Sequence, residues 1–539
     1  MSNIVRGTML LTGATFLSKF LGMIYLIPFN MLVEESGAAL YSFAYIPYNI
    51  LISISTIGVP LAVSKFVSKY NALGDFETGM RIYKTGISLM LVTGFIAFLG
   101  LFFGADPLAK FIIANEDVGG ISREHGAMVI RMVSFALLII PAMSITRGFF
   151  QGYESMGPTA VSQVVEQIIR IVVILAATFI IIKIIGGSVA TAVGFAAFAA
   201  FVGALGSCAV LWYYWRKRKP YIQKKLSQQK FSHDIPTKDL ITELFRYAGP
   251  FVIVGIATPL YQLVDTLTFQ RAMIDIGQGE LYDTALGVIN VLGHKLVIIP
   301  VTIATGLSLA ILPALTKSYT NNNRKVMNQQ INQALQIVLV LVVPAAVGLT
   351  MLSDSAYGAL YGIHQLDITG SLLGWYAPVS LLFALFTVTS SILQGINQQR
   401  FAVISLTGGL LMKILFNIQL IHMFGAKGAI FGTALAVGTA VALNLWRIGV
   451  SIRFPFTQTM KRFLLVCIFS VIMCITIWIT KAIFGTFLQV EESRLSAIIM
   501  LLAGVGAGAG VYLWFAYEST LLDRVLGNKV RVLDKIFRR

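Results

Sequence analysis

The chain has 539 residues, of which 57% are apolar and only 12% carry a formal charge, about half the charged share of a soluble domain. At roughly 20 apolar residues per bilayer crossing, this composition builds many crossings and excludes a large extramembrane catalytic domain. A net charge of +17 would suggest nucleic-acid binding in a soluble domain, but in a membrane chain the placement of charge matters more than its sum, and no nucleic-acid partner is expected.

Apolar runs set against turn and charge punctuation predict an all-α polytopic membrane protein with fourteen transmembrane helices. They fall at 7–32, 40–64, 85–104, 126–146, 159–182, 188–215, 247–270, 284–316, 329–353, 371–394, 401–422, 429–446, 463–480 and 495–517. The first run is too long for a signal-peptide core and has no small-residue cleavage site, so it is expected to be retained. An even number of crossings puts both termini on one side. That side carries 29 of the 41 Lys and Arg residues and the other side 7, so both termini are expected in the cytoplasm.

One hydrophilic interval, Arg216-Lys217-Arg218-Lys219 through Lys238 with Pro220 and Pro236, reads as a basic cytoplasmic linker near anionic headgroups. The expected organisation is therefore an N-terminal six-helix lobe (1–216), a linker (217–239), a C-terminal six-helix lobe (240–452), and two further helices with a basic tail (453–539). Self-similarity supports two related halves. Gly58-Val-Pro-Leu61-Ala62 followed by Ser68-Lys69 repeats as Gly306-Leu-Ser-Leu309-Ala310 followed by Thr316-Lys317, and Gln151-Gly152 with Arg170 repeats as Gln394-Gly395 with Lys413. The two offsets are nearly equal, as expected of a duplicated bundle.

Ten of the fifteen prolines fall in or at the rim of the expected helices, where each removes a backbone donor and bends its helix. The run Gly504-x-Gly506-x-Gly508-x-Gly510 follows no strand, so it reads as helix packing rather than a nucleotide loop. Three cysteines without a C-x-x-C pair and five scattered histidines suggest no disulfide framework, no metal site and no cofactor.

A charge inside the membrane costs at least ~2.5–3.5 kcal/mol on insertion scales and is a functional candidate by default. Seven stand out: Lys19, Arg131, Glu166, Arg170, Asp265, Lys295 and Lys413. Glu166 and Arg170 lie one turn apart on one face and are expected to pair; Arg131, near a helix end, is expected to snorkel. Lys19 and Lys295 have no acid within helical reach in sequence. Five cations against two anions favour an anionic cargo, a phosphate or carboxylate, over a drug cation.

Several segments carry a family likeness. Thr15-Phe-Leu-Ser18-Lys19-Phe-Leu21-Gly22, Ile46-Pro47-Tyr48-Asn49, and Lys295-Leu-Val-Ile-Ile-Pro300 through Leu312-Pro313-Ala-Leu315 together resemble the MurJ-type lipid II flippases. With Arg147-Gly-Phe-Phe-Gln151-Gly152 and Gly249-Pro250-Phe-Val-Ile-Val-Gly255, the chain is also similar to the SpoVB-like polysaccharide exporters of the multidrug/oligosaccharidyl-lipid/polysaccharide flippase superfamily, in its Gram-positive branch. The resemblance covers essentially the whole length. It implies two pseudo-symmetric six-helix lobes enclosing a cavity, with the last two helices forming a groove for a polyprenyl tail. It also implies a transporter, not an enzyme, that exports a polyprenyl-diphosphate-linked cell-wall precursor, lipid II, across the cytoplasmic membrane by alternating access.

On that resemblance Ser18, Lys19 and Lys295 hold the diphosphate, the two lysines standing where relatives have arginines. Glu166, Arg170, Asp265, Lys413 and His294 are further cavity or coupling candidates. Departures are visible: Tyr25-Leu26 replaces an Arg-Asp pair, and apolar Leu51 or Ile52 replaces an arginine. Lysine is a point charge rather than a bidentate fork, so phosphate geometry does not transfer directly. Where some relatives bind sodium between helices 7 and 11, Asp265 would meet Lys413, a built-in cation. Membrane potential or a coupling ion would drive the cycle. Rival readings are export of another polyprenyl-linked glycan or a small drug cation, a membrane scaffold, or a glycosyl or phosphoglycosyl transferase.

Overall fold

A computed structural model describes residues 3–113, 122–153, 155–229 and 236–526. The described residues are helices joined by short turns, with no strand among them. They group into two compact units, residues 1–283 and 284–539.

The first unit holds α1 (Asn3–Ile24), α2 (Leu26–Ser53), α3 (Val59–Ala72), α4 (Phe76–Phe103), α5 (Ala105–Ile112), α6 (Arg123–Ser134), α7 (Ile140–Gly152), α8 (Met156–Phe179), α9 (Val189–Ser227), α10 (Thr237–Gly255) and α11 (Ala257–Asp275). The short α12 (Tyr282–Gly287) straddles the division. The second unit continues with α13 (Gly293–Thr320), α14 (Arg324–Met351), α15 (Ser353–Tyr361), α16 (Leu366–Tyr376), α17 (Val379–Gly395), α18 (Gln399–Phe424), α19 (Lys427–Ile452), α20 (Thr457–Gly485), α21 (Arg494–Glu518) and α22 (Leu521–Leu526).

Local chemistry sets the helix ends. Gly74 takes a positive φ of 80° after α3, and the buried Asp75 then caps α4 by accepting the Thr78 N–H at 3.0 Å. Ser122, Ser188 and Asn323 cap α6, α9 and α14 in the same way. Pro60 follows a single π turn at Ile54–Gly58, and Pro141 follows a 3-10 turn at Phe135–Leu138; each sits where a missing N–H does least harm. Small residues allow close crossings. A Cβ on Gly148 of α7 would lie 2.4 Å from the Pro60 carbonyl of α3, and one on Gly203 of α9 would lie 2.8 Å from the Glu166 carbonyl of α8.

Twelve helical stretches among the described residues, from Gly13–Val33 to Arg494–Glu518, are long and apolar enough to cross a bilayer, so the chain is a multi-pass all-α membrane protein. The two other expected crossings, 40–64 and 247–270, coincide with interrupted helices. The first runs from α2 through the π turn into α3, and the second is broken at Ile256 between α10 and α11. The loop expected at 33–39 is helical instead, with Val33, Ala38 and Ala39 buried.

The expected boundaries at 216 and 240 also differ from the structure. Residues 217–227 continue α9 as helix. Trp215 stacks on Tyr83 at 5.1 Å and also contacts Phe149; Ile222 is buried among α3, α4, α7 and α10. Leu240, Leu244 and Ala248 of α10 join the same core, so α10 and α11, expected with the second lobe, pack in the first unit. Burial of these side chains outweighs the solubility of the basic run, because Arg and Lys keep their charges outward on long stems.

Candidate functional site

The first unit brings α1 against α8. Ser18 is buried on that seam, its Oγ donating to the Gln163 carbonyl at 3.5 Å, and Thr15 donates to Gln163 Oε1 at 3.3 Å. Lys19, one position on, is exposed and has no carboxylate paired with it among the described residues. The geometry therefore places Ser18 at the α1–α8 seam, with the exposed Lys19 next to it.

Glu166 does not pair with Arg170 as the spacing suggested. Its Oε2 accepts from Arg147 of α7 at 2.7 Å, and Arg147 also donates to Ser162 Oγ at 2.9 Å and Ser207 Oγ at 2.8 Å. One guanidinium thus ties α7 to both α8 and α9. Arg170 turns to α2, donating to the Tyr41 hydroxyl at 3.3 Å and lying over the Tyr45 ring at 5.1 Å. Its Nε is buried without a hydrogen-bond partner. Arg131 does not simply snorkel: it meets Asp106 of α5 at 2.5 Å. Sequence reasoning passed over Arg147 because it falls one residue beyond the limit drawn for the fourth crossing.

Asp265, on α11, is 2% exposed within the first unit. In the second unit Lys413 of α18 is fully buried and donates to Thr433 Oγ1 of α19. One helical turn further, Asn417 closes on Gly432. Asn444 binds Thr389, Ser390 and Ser405 in a buried polar knot joining α17, α18 and α19. The hydrogen bonds of Asn444 hold these helices together in addition to apolar packing, which favours one arrangement over many.

On α13, His294 Nδ1 is 2.7 Å from the Tyr376 hydroxyl, while the neighbouring Lys295 is exposed. The same helix contributes Leu296, Ile299 and Pro300 to an apolar cavity of about 390 Å³. Its other lining residues include Val340, Pro344 and Gly348 of α14, Met473 and Ile477 of α20, and Gly504, Ala509 and Tyr512 of α21. A cation thus stands on the helix that forms one wall of an apolar groove, a pairing suited to an anionic amphiphile. No group of three His, Cys, Asp or Glu side chains that could hold a metal ion occurs among the described residues.

Residues 4–319 match the sequence model of a family described as polysaccharide biosynthesis protein, and residues 293–497 match that of lipid II flippase MurJ. The chain is 43% identical over 531 residues to the lipid II flippase MurJ of Bacillus subtilis (strain 168), covering 98% of each. The chain belongs to the MurJ family. It is also 23% identical to the stage V sporulation protein B of the same organism, covering 99% of each. A solved MurJ structure titled as inward closed superposes with a TM-score of 0.66 at 19% identity, covering 96% of this chain and 99% of that one. An inward-facing multidrug transporter of the MATE family reaches 0.63 at 16% identity, covering 83% of this chain and 98% of that one. The MurJ fold is thus shared with drug exporters. Membership places this chain among cell-membrane transporters rather than enzymes.

Proposed function

We propose that this chain is a flippase that moves lipid II, a polyprenyl-diphosphate-linked disaccharide-peptide, from the inner to the outer leaflet by alternating access. The observation that carries the reading is an exposed Lys295 on α13, the helix that supplies one wall of an apolar groove, in a chain 43% identical to a lipid II flippase. The physics of the cargo fits that arrangement. A diphosphate cannot cross hydrocarbon unaided, because a charge at the bilayer centre is costly, whereas the polyprenyl chain can remain in lipid throughout.

In this reading Lys19 and Lys295 attract the diphosphate and Ser18 holds α1 against α8. Asp265 and Lys413 stand as candidates for coupling, as do Glu166, Arg170 and His294 for shaping the path. Both termini face the cytoplasm, as the distribution of Lys and Arg favours. A negative interior then favours outward movement of anionic charge by ~2.3 kcal/mol per charge per 100 mV, so the membrane potential can drive the cycle.

The test is headgroup translocation by the reconstituted chain, offering lipid II, a different polyprenyl-diphosphate glycan and a cationic drug separately. Movement of lipid II in preference to the other two supports the reading. Preferential movement of the other glycan lipid reassigns the cargo to the polysaccharide-export branch, and drug efflux alone refutes the anionic-cargo premise.

A further inference from the structure

The internal repeat puts a cation at equivalent places in the two halves, Arg170 on α8 and Lys413 on α18, each following a Gln-Gly pair at the same interval. Their surroundings differ. Lys413 is fully buried and donates to Thr433 of α19, so helix packing uses it. Arg170 is only half-buried and is paired with no carboxylate among the described residues; it meets the Tyr41 hydroxyl and the Tyr45 ring. One of its five donors goes to Tyr41, and its Nε is shut away without a partner, a state that an added acceptor relieves.

The rings around Arg170 form a platform. Tyr41, Tyr45 and Tyr48 fall at i, i+4 and i+7 on α2, one face of the helix. Tyr41 and Tyr45 stack with centroids 4.7 Å apart and planes 18° from parallel, Tyr48 meets Tyr45 edge to face at 5.1 Å, and Phe29 meets Tyr41 at 5.6 Å. Phe29, Tyr41 and Tyr48 are buried, whereas Tyr45 keeps part of its surface. A partly open ring thus rests on a bed of closed ones, with a guanidinium over it. The platform continues a polar stripe of α8, where Gln163, Gln167 and Arg170 again lie at i, i+4 and i+7. Gln163 holds Thr15 and Ser18 of α1, and the Gln167 amide comes within 3.1 Å of the Cβ position of Gly22. Lys19 therefore stands on α1 at the level of these two glutamines, and Arg170 lies about 10 Å along α8 from Gln163 at 1.5 Å per residue.

We propose that Tyr45 and Arg170 form a subsite for a sugar ring of the cargo, further along the α1–α8 seam than the diphosphate contact at Lys19. The inference rests on the flippase reading and deepens it by naming what selects the glycan head. The chemistry of the pair identifies the ligand. A pyranose has a face of C–H groups, which a partly open tyrosine ring covers, and a rim of hydroxyl and acyl-amide oxygens, which a guanidinium binds. An aromatic wall with one placed polar group is the usual means of orienting a small ligand. A drug cation would meet Arg170 as a like charge, since Glu166 is already taken up by Arg147 at 2.7 Å. A phosphate alone would use the guanidinium and leave the ring without a role.

The test uses the full chain in nanodiscs of zwitterionic lipid and reads affinity rather than capacity, so that a loss of folded protein does not mimic the effect. The probes are lipid II and a polyprenyl diphosphate of the same chain length without sugar. The parent should bind lipid II more tightly than the sugar-free probe. Tyr45→Leu and Arg170→Gln should each weaken lipid II binding about tenfold, the worth of one stacked ring or one charge-assisted hydrogen bond, and leave the sugar-free probe unchanged. Tyr45→Phe keeps the ring, guards against a folding defect and should retain lipid II binding. Equal weakening of both probes overturns the inference by making the pair a phosphate contact or a packing element. Unchanged lipid II binding in both Tyr45→Leu and Arg170→Gln overturns it too, as does equal affinity of the parent for the two probes. If the parent moves lipid II while any of these contrary binding results is found, this inference alone falls; if the parent moves no lipid II, the flippase reading falls whatever Tyr45 and Arg170 do.

Discussion

Glu166 is held by Arg147 across the α7–α8 seam at 2.7 Å, while Arg170, one turn along its own helix, turns away to Tyr41 and Tyr45. Both partners of the Arg147–Glu166 pair are largely buried, with side chains 16% and 19% exposed. Breaking such a pair leaves a charge stranded, whereas removing both members is far less harmful. Arg147→Gln and Glu166→Gln should each lower stability by about 2–4 kcal/mol, and the double variant should recover part of the loss. Thermal unfolding in detergent across the double-mutant cycle checks this. The same cycle between Glu166 and Arg170 should give a coupling near zero.

Close approach of α3 and α7 at Gly148 makes a second prediction. A Cβ there meets the Pro60 carbonyl, a backbone atom that cannot rotate aside, so Gly148→Ala should destabilise by about 1–3 kcal/mol despite its better helix propensity. Gly157, with nothing within 4 Å of its Cβ position, should accept Ala at no cost. A melting comparison of the two variants decides it.

The glycine run of α21 was legible as packing, but the sequence did not say which glycines pack. Gly508 faces Ile477 and Met473 of α20, while Gly506 and Gly510 have no neighbour within 4 Å, as the helical repeat of 3.6 residues requires. Gly508→Val should therefore cost about 1–3 kcal/mol by overpacking. Gly506→Val should leave the α20–α21 contact intact, measured as unchanged cross-linking between the two helices.

Filling the groove should stop transport without unfolding the protein. Ala509 lines it from α21 and is exposed to its interior, so Ala509→Phe removes space for a lipid chain and buries no polar group. Lipid II translocation should fall at least about tenfold, the effect of losing ~1.4 kcal/mol of chain binding, while the melting temperature holds. Undiminished transport would place the chain elsewhere.

How far the sequence could be read follows from what sets each feature. Membrane helices were legible because apolar length is a one-dimensional signal. Lys19 and Lys295 stood out because an intramembrane charge is conspicuous wherever it sits. Arg147 escaped because its helix continues six residues past Thr146 into interior packing, which only α8 and α9 reveal. Arg462 looked like ordinary cytoplasmic positive charge, since the neutral Gln336 of α14 to which it donates carries no signal in composition. The fate of residues 217–227 was hidden for a similar reason: the basic run reads as a linker until Trp215 and Ile222 are seen against α3, α4 and α7. In each case the missing information was a tertiary neighbour.

The measurement that bears most directly on the central claim is lipid II headgroup translocation in proteoliposomes at a fixed inside-negative potential, comparing the parent chain with Lys19→Gln, Lys295→Gln and Lys295→Arg. An anion guided by Lys19 and Lys295 predicts that both Gln variants lose transport by at least about tenfold, that Lys295→Arg retains it because the charge is kept, and that collapsing the potential slows the parent. Transport by both Gln variants at the parental rate, with folded protein confirmed, would contradict the account.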